Sequence, residues 1–408
     1  MKINKIKSKK FVTNAIAIYL TTKLDKETIT MNALIPEILK RGTENYKTQL
    51  DISKKLEDMY GAAFNFSREK VGNFFVMKFY INTLENRYLP EDKNLAQEGI
   101  NLLSDIVFNP LKEDGAFNAT YVQQEKENKK KEIESRKDDK DAYAYSRALE
   151  ELMGDDPYGS FIYGDIEHLE KIDNKNLYEY YQKLLKECKI DIFVDGSDVD
   201  EIVLPEIMKE YGNSEFKQLS DEIKNKLLNE VKEPKKVIDK LDVTQGKIDI
   251  GLRVSDEDKY AILVYNQILG GDANSKLFQN VREKNGLAYT VRATYSKYNN
   301  FIMIRTGIQL ENFDKCLKVI EEQLADLQNG KITEKEITDA KECIYAALRE
   351  IDESQLATIN FEYSKETLAD GDSIEEKEKK IKAVTIDDVI RVAKGVSVNL
   401  IYYLTKAE

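Results

Sequence analysis

One order of elements occurs twice along the chain, and this repeat limits the fold before any single motif is weighed. Ile29, Ala33, Leu34 and Ile38 recur at helical spacing, so a helix is expected over 28–40, stopped at Arg41-Gly42-Thr43. A second helix over 47–60 ends at Gly61, and strands follow at 62–67 and 74–81. The second half answers with a helix over 257–269 closed by Gly270-Gly271, and a helix over 274–284 closed by Asn285-Gly286. Strands at 288–295 and 301–308 complete it. Ile38-Leu39-Lys40-Arg41-Gly42 corresponds to Ile268-Leu269-Gly270-Gly271, and Tyr60-Gly61-Ala62 to Asn285-Gly286-Leu287. The offset is about 225–230 residues, within the boundary error of such readings.

A repeat of this kind predicts two similar domains facing each other as a clam-shell. Strands are grouped with helix pairs and do not alternate as βαβ units, which predicts the α+β class with mainly antiparallel sheets. Further strands are expected at 9–22, 190–194, 247–254 and 398–404. Further helices are expected at 94–107, 117–134, 142–153, 313–327 and 333–368. The stretch 204–236 is polar and rich in Lys and Glu, and reads as a linker between domains at 1–203 and 237–408.

The length of 408 residues supports two domains, because single cores stop growing near ~250–300 residues. A net charge of −12 argues against a nucleic acid partner, which needs a basic face, and against an anionic membrane surface. No apolar run approaches the ~20 residues of a spanning helix. The lysines of 1–10 are not followed by a signal-peptide core, so a cytoplasmic location is expected. Cys188, Cys316 and Cys343 lie too far apart for a disulfide framework or a zinc ribbon. His168 is the single histidine. A self-contained His-based metal site or Ser-His-Asp triad therefore has almost nothing to build from.

The sharpest segment is Leu277-Phe278-Gln279-Asn280-Val281-Arg282-Glu283-Lys284-Asn285-Gly286-Leu287-Ala288-Tyr289. It resembles the second-domain signature of insulinase/pitrilysin-type peptidases, which include the mitochondrial processing peptidase. Gly270 and Gly271 match the glycine-rich turn that precedes that signature. The resemblance implies that Arg282 and Tyr289 contact bound peptide near the scissile bond. The side chains suit such a role, since a guanidinium gives charge-assisted donors to carbonyls and a phenol can donate to a developing oxyanion. Taken by residue type alone, Arg282 reads as a solvated helix residue and Tyr289 as a half-buried strand aromatic; the contiguous match reverses that preference.

Members of that family carry the inverted zinc motif H-x-x-E-H on the first helix, before a Lys/Arg-Gly-Thr turn. Counting back from Gly42-Thr43, the two histidine positions are Ala33 and Glu37, and the water-activating glutamate position is Pro36. Alanine ligates nothing, and proline is neither base nor ligand. Glu132 matches the third ligand position on a later helix, with Glu125 a heptad earlier. Glu37, Glu125 and Glu132 leave open a weak site for a hard cation. The alternative is a solvated helix face, the usual meaning of an alternating charge run such as 125–140.

The resemblance, intact in one half and void of metal chemistry in the other, implies a noncatalytic, substrate-binding subunit of a heterodimeric zinc metallopeptidase. No catalytic residue and no cofactor is expected in this chain alone. A homologous partner with an intact H-x-x-E-H motif would bring the zinc. Peptide would lie extended along a sheet edge. The alternative is a structural or interaction protein of the same fold with no role in proteolysis.

Overall fold

The computed structural model describes residues 2–211, 229, 231–368 and 370–407. Much of the expected linker at 204–236 thus lies outside the described residues. Along the first half run β1 (Ile3–Lys7), β2 (Thr13–Lys23), α1 (Ile29–Leu39), α2 (Gln49–Asp58), β3 (Ala63–Val71), β4 (Phe74–Leu84) and α3 (Leu95–Phe108). A short ribbon of β5 (Lys112–Glu113) and β6 (Ala116–Phe117) leads to α4 (Ala119–Glu134), α5 (Lys140–Met153), α6 (Ile166–Glu170), α7 (Asn174–Glu187) and β7 (Lys189–Gly196). The second half holds β8 (Lys235–Leu241), β9 (Gly246–Val254), α8 (Lys259–Gly270), β10 (Ala288–Ser296), β11 (Phe301–Ile308), α9 (Phe313–Gln328) and α10 (Glu334–Glu350). It closes with α11 (Gln355–Thr367), α12 (Ile374–Ala383), α13 (Ile386–Lys394) and β12 (Val396–Lys406).

The strands form two five-stranded sheets of the same design. The first has the order β1-β7-β2-β4-β3 and the second β8-β12-β9-β11-β10. In each, one outer strand runs parallel to its neighbour, β1 to β7 and β8 to β12. The remaining pairs are antiparallel. Central β2 is buried over almost its whole length, and its sequence TNAIAIYLTTK is correspondingly apolar on both faces. Edge strand β3 alternates exposed and half-buried residues, the signature of a one-sided strand. The α+β class with mainly antiparallel sheets is what the structure contains. The repeat is also present: β3 and β10 begin at Ala63 and Ala288, and α1 and α8 at Ile29 and Lys259.

The chain forms two compact units, and neither is a continuous stretch. Ser135–Ser160, with α5, belongs to the second unit, and Ile351–Gly371, with α11, belongs to the first. Apolar packing explains both placements. Tyr143, Ala148, Leu149 and Met153 of α5 are buried with Phe301, Met303, Leu400 and Tyr402 of the second sheet. Each large side chain so buried contributes roughly 1.5–3 kcal/mol. On the first sheet, Tyr363 of α11 stacks on Tyr19 with ring centroids 4.0 Å apart.

Three expectations need correcting. The helix foreseen over 333–368 is two helices, broken at 351–354, where the Ser354 side chain caps α11 by accepting from the Ala357 N–H. The helix foreseen over 274–284 contains a π-helical turn, Phe278–Lys284. Helices α6, α7, α12 and α13 are additional to those expected. No helix among the described residues is long and apolar enough to cross a membrane.

Candidate functional site

In the first unit the positions matching the zinc motif lie on α1. Ala33 and Pro36 are buried, and Pro36 sits inside the helix, where it removes one backbone donor. Glu37 is the polar survivor. Its Oε1 accepts from Arg68 of β3 at 2.5 Å, and its Oε2 accepts from Lys40 at 2.6 Å. Arg68 also donates to the Ala33 carbonyl. Burial raises the Glu37 pKa, but hydrogen bonds and charge from Lys40 and Arg68 outweigh it and pull the carboxyl down to about 2.

Helix α4 faces this group with Glu125, Lys129 and Glu132. Lys129 Nζ donates to Glu132 Oε2 at 2.5 Å and lies 3.5 Å from Glu37 Oε1. Its ammonium also stands 4.3 Å from the centre of the Tyr163 ring, and the Arg68 guanidinium 5.2 Å from the same ring. Glu125 is engaged elsewhere: it accepts from Arg41 at 2.9 Å, and Arg41 lies 4.5 Å over the Tyr121 ring. The expectation that 125–140 is a solvated charge run therefore needs correcting at its start. Val122, Glu125 and Lys129 form the buried stripe of α4. Sequence reasoning misses Lys129, Arg68 and Tyr163 as members of this group. The one available signal is the i, i+3, i+7 spacing of Val122, Glu125 and Lys129.

This donor set does not fit zinc. A zinc site needs about four N, O or S ligands with a net negative or neutral character. Here two buried cations lie among the carboxylates, and the described residues contain no group of three or more His, Cys, Asp or Glu side chains able to hold a metal. His168 is remote from such a role: its ring nitrogens pair with Asp165 at 2.7 Å and Glu27 at 3.3 Å on an exposed face.

In the second unit Arg282 and Tyr289 each sit on a local irregularity. Arg282 lies in the π-helical turn, with its guanidinium 4.7 Å over the Phe278 ring and its side chain 45% exposed. Such turns are costly and cluster at functional positions. Gly286 follows at φ +59°, the left-handed conformation that lets the helix end and β10 begin. Tyr289 falls at a register break of β10: Ala288 pairs with Ile308 and Thr290 with Gly307, leaving Tyr289 as the bulged residue. Bulges re-aim side chains, and Tyr289 is 49% exposed on an edge strand. Gln309 Nε2 donates to its hydroxyl oxygen at 3.3 Å, a contact with no signal in the sequence.

Gly270 and Gly271 contribute packing space. A Cβ on Gly270 would stand 2.7 Å from the Ala293 nitrogen of β10, so glycine lets α8 approach the strand. A Cβ on Gly271 would meet the Gln267 side chain at 2.2 Å.

Residues 171–343 match the family described as Peptidase M16 inactive domain. The chain is 32% identical over 407 residues to the "Probable inactive metalloprotease YmfF" of Bacillus subtilis, covering 99% of this chain and 95% of that protein. It is 24% identical over 342 residues to the "Uncharacterized zinc protease YmxG" of the same organism, covering 82% and 78%. Among solved structures, a conserved protein from Enterococcus faecalis superposes with a TM-score of 0.86 at 28% identity, covering 99% of this chain and 96% of that one. A peptidase M16 inactive domain from Pseudomonas fluorescens gives 0.76 at 16% identity, covering 100% and 96%.

Proposed function

The chain belongs to the M16 (insulinase/pitrilysin-type) metallopeptidase family as an inactive member, and from that premise we propose that it is the substrate-binding subunit of a two-chain zinc peptidase. The partner is a homologous subunit with an intact H-x-x-E-H motif, which brings zinc, water and general base. This chain brings Arg282 and Tyr289, and peptide lies in extended form along a sheet edge by backbone pairing.

The observation that carries this reading is the pairing of two irregularities with two exposed side chains. A π-helical turn holds Arg282 and a β-bulge holds Tyr289. Both distortions cost stability, and neither buries the side chain it carries. A half-exposed guanidinium on the helical turn and a half-exposed phenol on the edge strand suit contact with a substrate carbonyl.

The test is a mixed complex reconstituted with the zinc-bearing partner. Arg282→Ala lowers peptide cleavage while co-purification of the two chains is unchanged. If cleavage by the mixed complex is unaffected, the chain is a structural or interaction protein of this fold.

A further inference from the structure

The positions that match a zinc site hold cations among the carboxylates that remain. Glu37 of α1 and Glu132 of α4 are the carboxylates left at the motif-matching positions. Between them stands the Lys129 ammonium, with its side chain 2% exposed, bonded to Glu132 at 2.5 Å and 3.5 Å from Glu37. Arg68, 9% exposed, bonds Glu37 from β3. A lysine this deeply buried sheds most of its hydration, and burial pushes its pKa down, helped by repulsion from Arg68. Glu132 and Glu37 oppose that shift. The cluster is therefore an arrangement of fixed cations and anions with the Tyr163 ring facing both cations.

We propose that Lys129, backed by Arg68, is a tethered cation that has taken over the electrostatic role of a zinc ion between α1 and α4. A metal joins the two helices by attracting ligands from both. An ammonium between two carboxylates does the same without leaving the chain. The first unit is thereby metal-independent, and its packing is indifferent to chelators. This inference goes beyond the substrate-binding role and stands whether or not Arg282 and Tyr289 touch peptide.

The purified full chain tests it by thermal melting in EDTA and in added zinc chloride. Wild type melts at the same temperature in both. Lys129→Arg, which keeps the charge, melts close to wild type and ignores zinc. Lys129→Met, which keeps the volume without the charge, melts lower. Lys129→Ala also melts lower, and zinc does not restore it, because Glu37 stays paired with Arg68 and Lys40 and two carboxylates fall short of a zinc site. If Lys129→Ala does not fold, Lys129→Met gives the same readout. The proposal is overturned if Lys129→Met melts like wild type. It is equally overturned if EDTA lowers, or zinc raises, the melting temperature of wild type.

Discussion

Arg68 and Glu37 meet at 2.5 Å, joining edge strand β3 to helix α1 at a position that matches a zinc ligand of the family. Neither side chain is well exposed, at 9% and 15%. The Glu37 carboxyl is held at about 2 against an ordinary value of 4.5. A depressed folded pKa stabilises the protein above the unfolded pKa, and that stability is lost as pH falls from about 4.5 toward 2. The size is roughly 3 kcal/mol at neutral pH. Glu37→Gln should therefore lower the urea midpoint at pH 7 and remove most of the acid slope, so that variant and wild type converge near pH 2. Equal midpoints at pH 7 would show the ion pair to be energetically empty.

The opposite sign is expected at Asp195, near the end of β7. It is 1% exposed, and its Oδ1 has no hydrogen-bond partner among the described residues. Burial, with added repulsion from Asp352, pushes its pKa from 3.8 up to about 6. A raised folded pKa means that the contribution is fully present below about pH 4 and is lost as pH rises through 6. Asp195→Asn should be more stable than wild type above pH 6 by roughly 2–3 kcal/mol, with the difference vanishing below about pH 4. Chemical denaturation at pH 4 and pH 7.5 reads both limits.

How much of this is legible in the sequence depends on how local each signal is. The Arg282–Tyr289 segment can be read because its residues are contiguous, and its glycines mark the turns they occupy. Ala33 and Pro36 are equally plain, since neither residue type can ligate a metal whatever surrounds it. Lys129 is hidden because an alternating charged helix looks the same whether its stripe faces water or Tyr163, and that choice is made by α4 packing against α1. The exchange of α5 and α11 is hidden for a related reason. The spacing of Tyr143, Ala144, Ala148 and Leu149 shows that α5 has an apolar face, but the sheet it covers is supplied by Phe301, Leu400 and Tyr402, far along the chain. The break at Ser354 escapes notice because residues on both sides favour helix, and only the cap separates them.

Gly270 and Gly286 should respond differently to alanine, because they are glycines for different reasons. At Gly270 the obstacle is backbone: the new Cβ would lie 2.7 Å from the Ala293 nitrogen and 2.8 Å from its Cβ. Relief requires α8 to move off β10, so Gly270→Ala should cost about 1–3 kcal/mol. At Gly286 nothing lies within 4 Å of the added Cβ, and only the φ of +59° opposes it. The cost there should be about 1–2 kcal/mol, with no loss of packing. Melting curves give the costs, and hydrogen exchange in β10 separates the mechanisms: faster in Gly270→Ala, unchanged in Gly286→Ala.

Tyr289→Phe isolates the hydroxyl from the ring that carries it. The side chain is 49% exposed, and its oxygen accepts one bond, from Gln309 at 3.3 Å. Because the Gln309 amide is the donor there, the phenol's own proton is not used in that bond. Removing an exposed hydroxyl leaves no buried group unsatisfied, so folding stability should stay within about 0.5 kcal/mol of wild type. Cleavage by the reconstituted two-chain complex should fall by about 10²–10³, the usual loss of one oxyanion donor, with kcat carrying the loss and KM little changed. Gln309→Ala should produce a smaller decrease, because the hydroxyl remains and only its orientation is released. A rise in KM alone, with kcat untouched, would instead make Tyr289 a ground-state contact to the peptide.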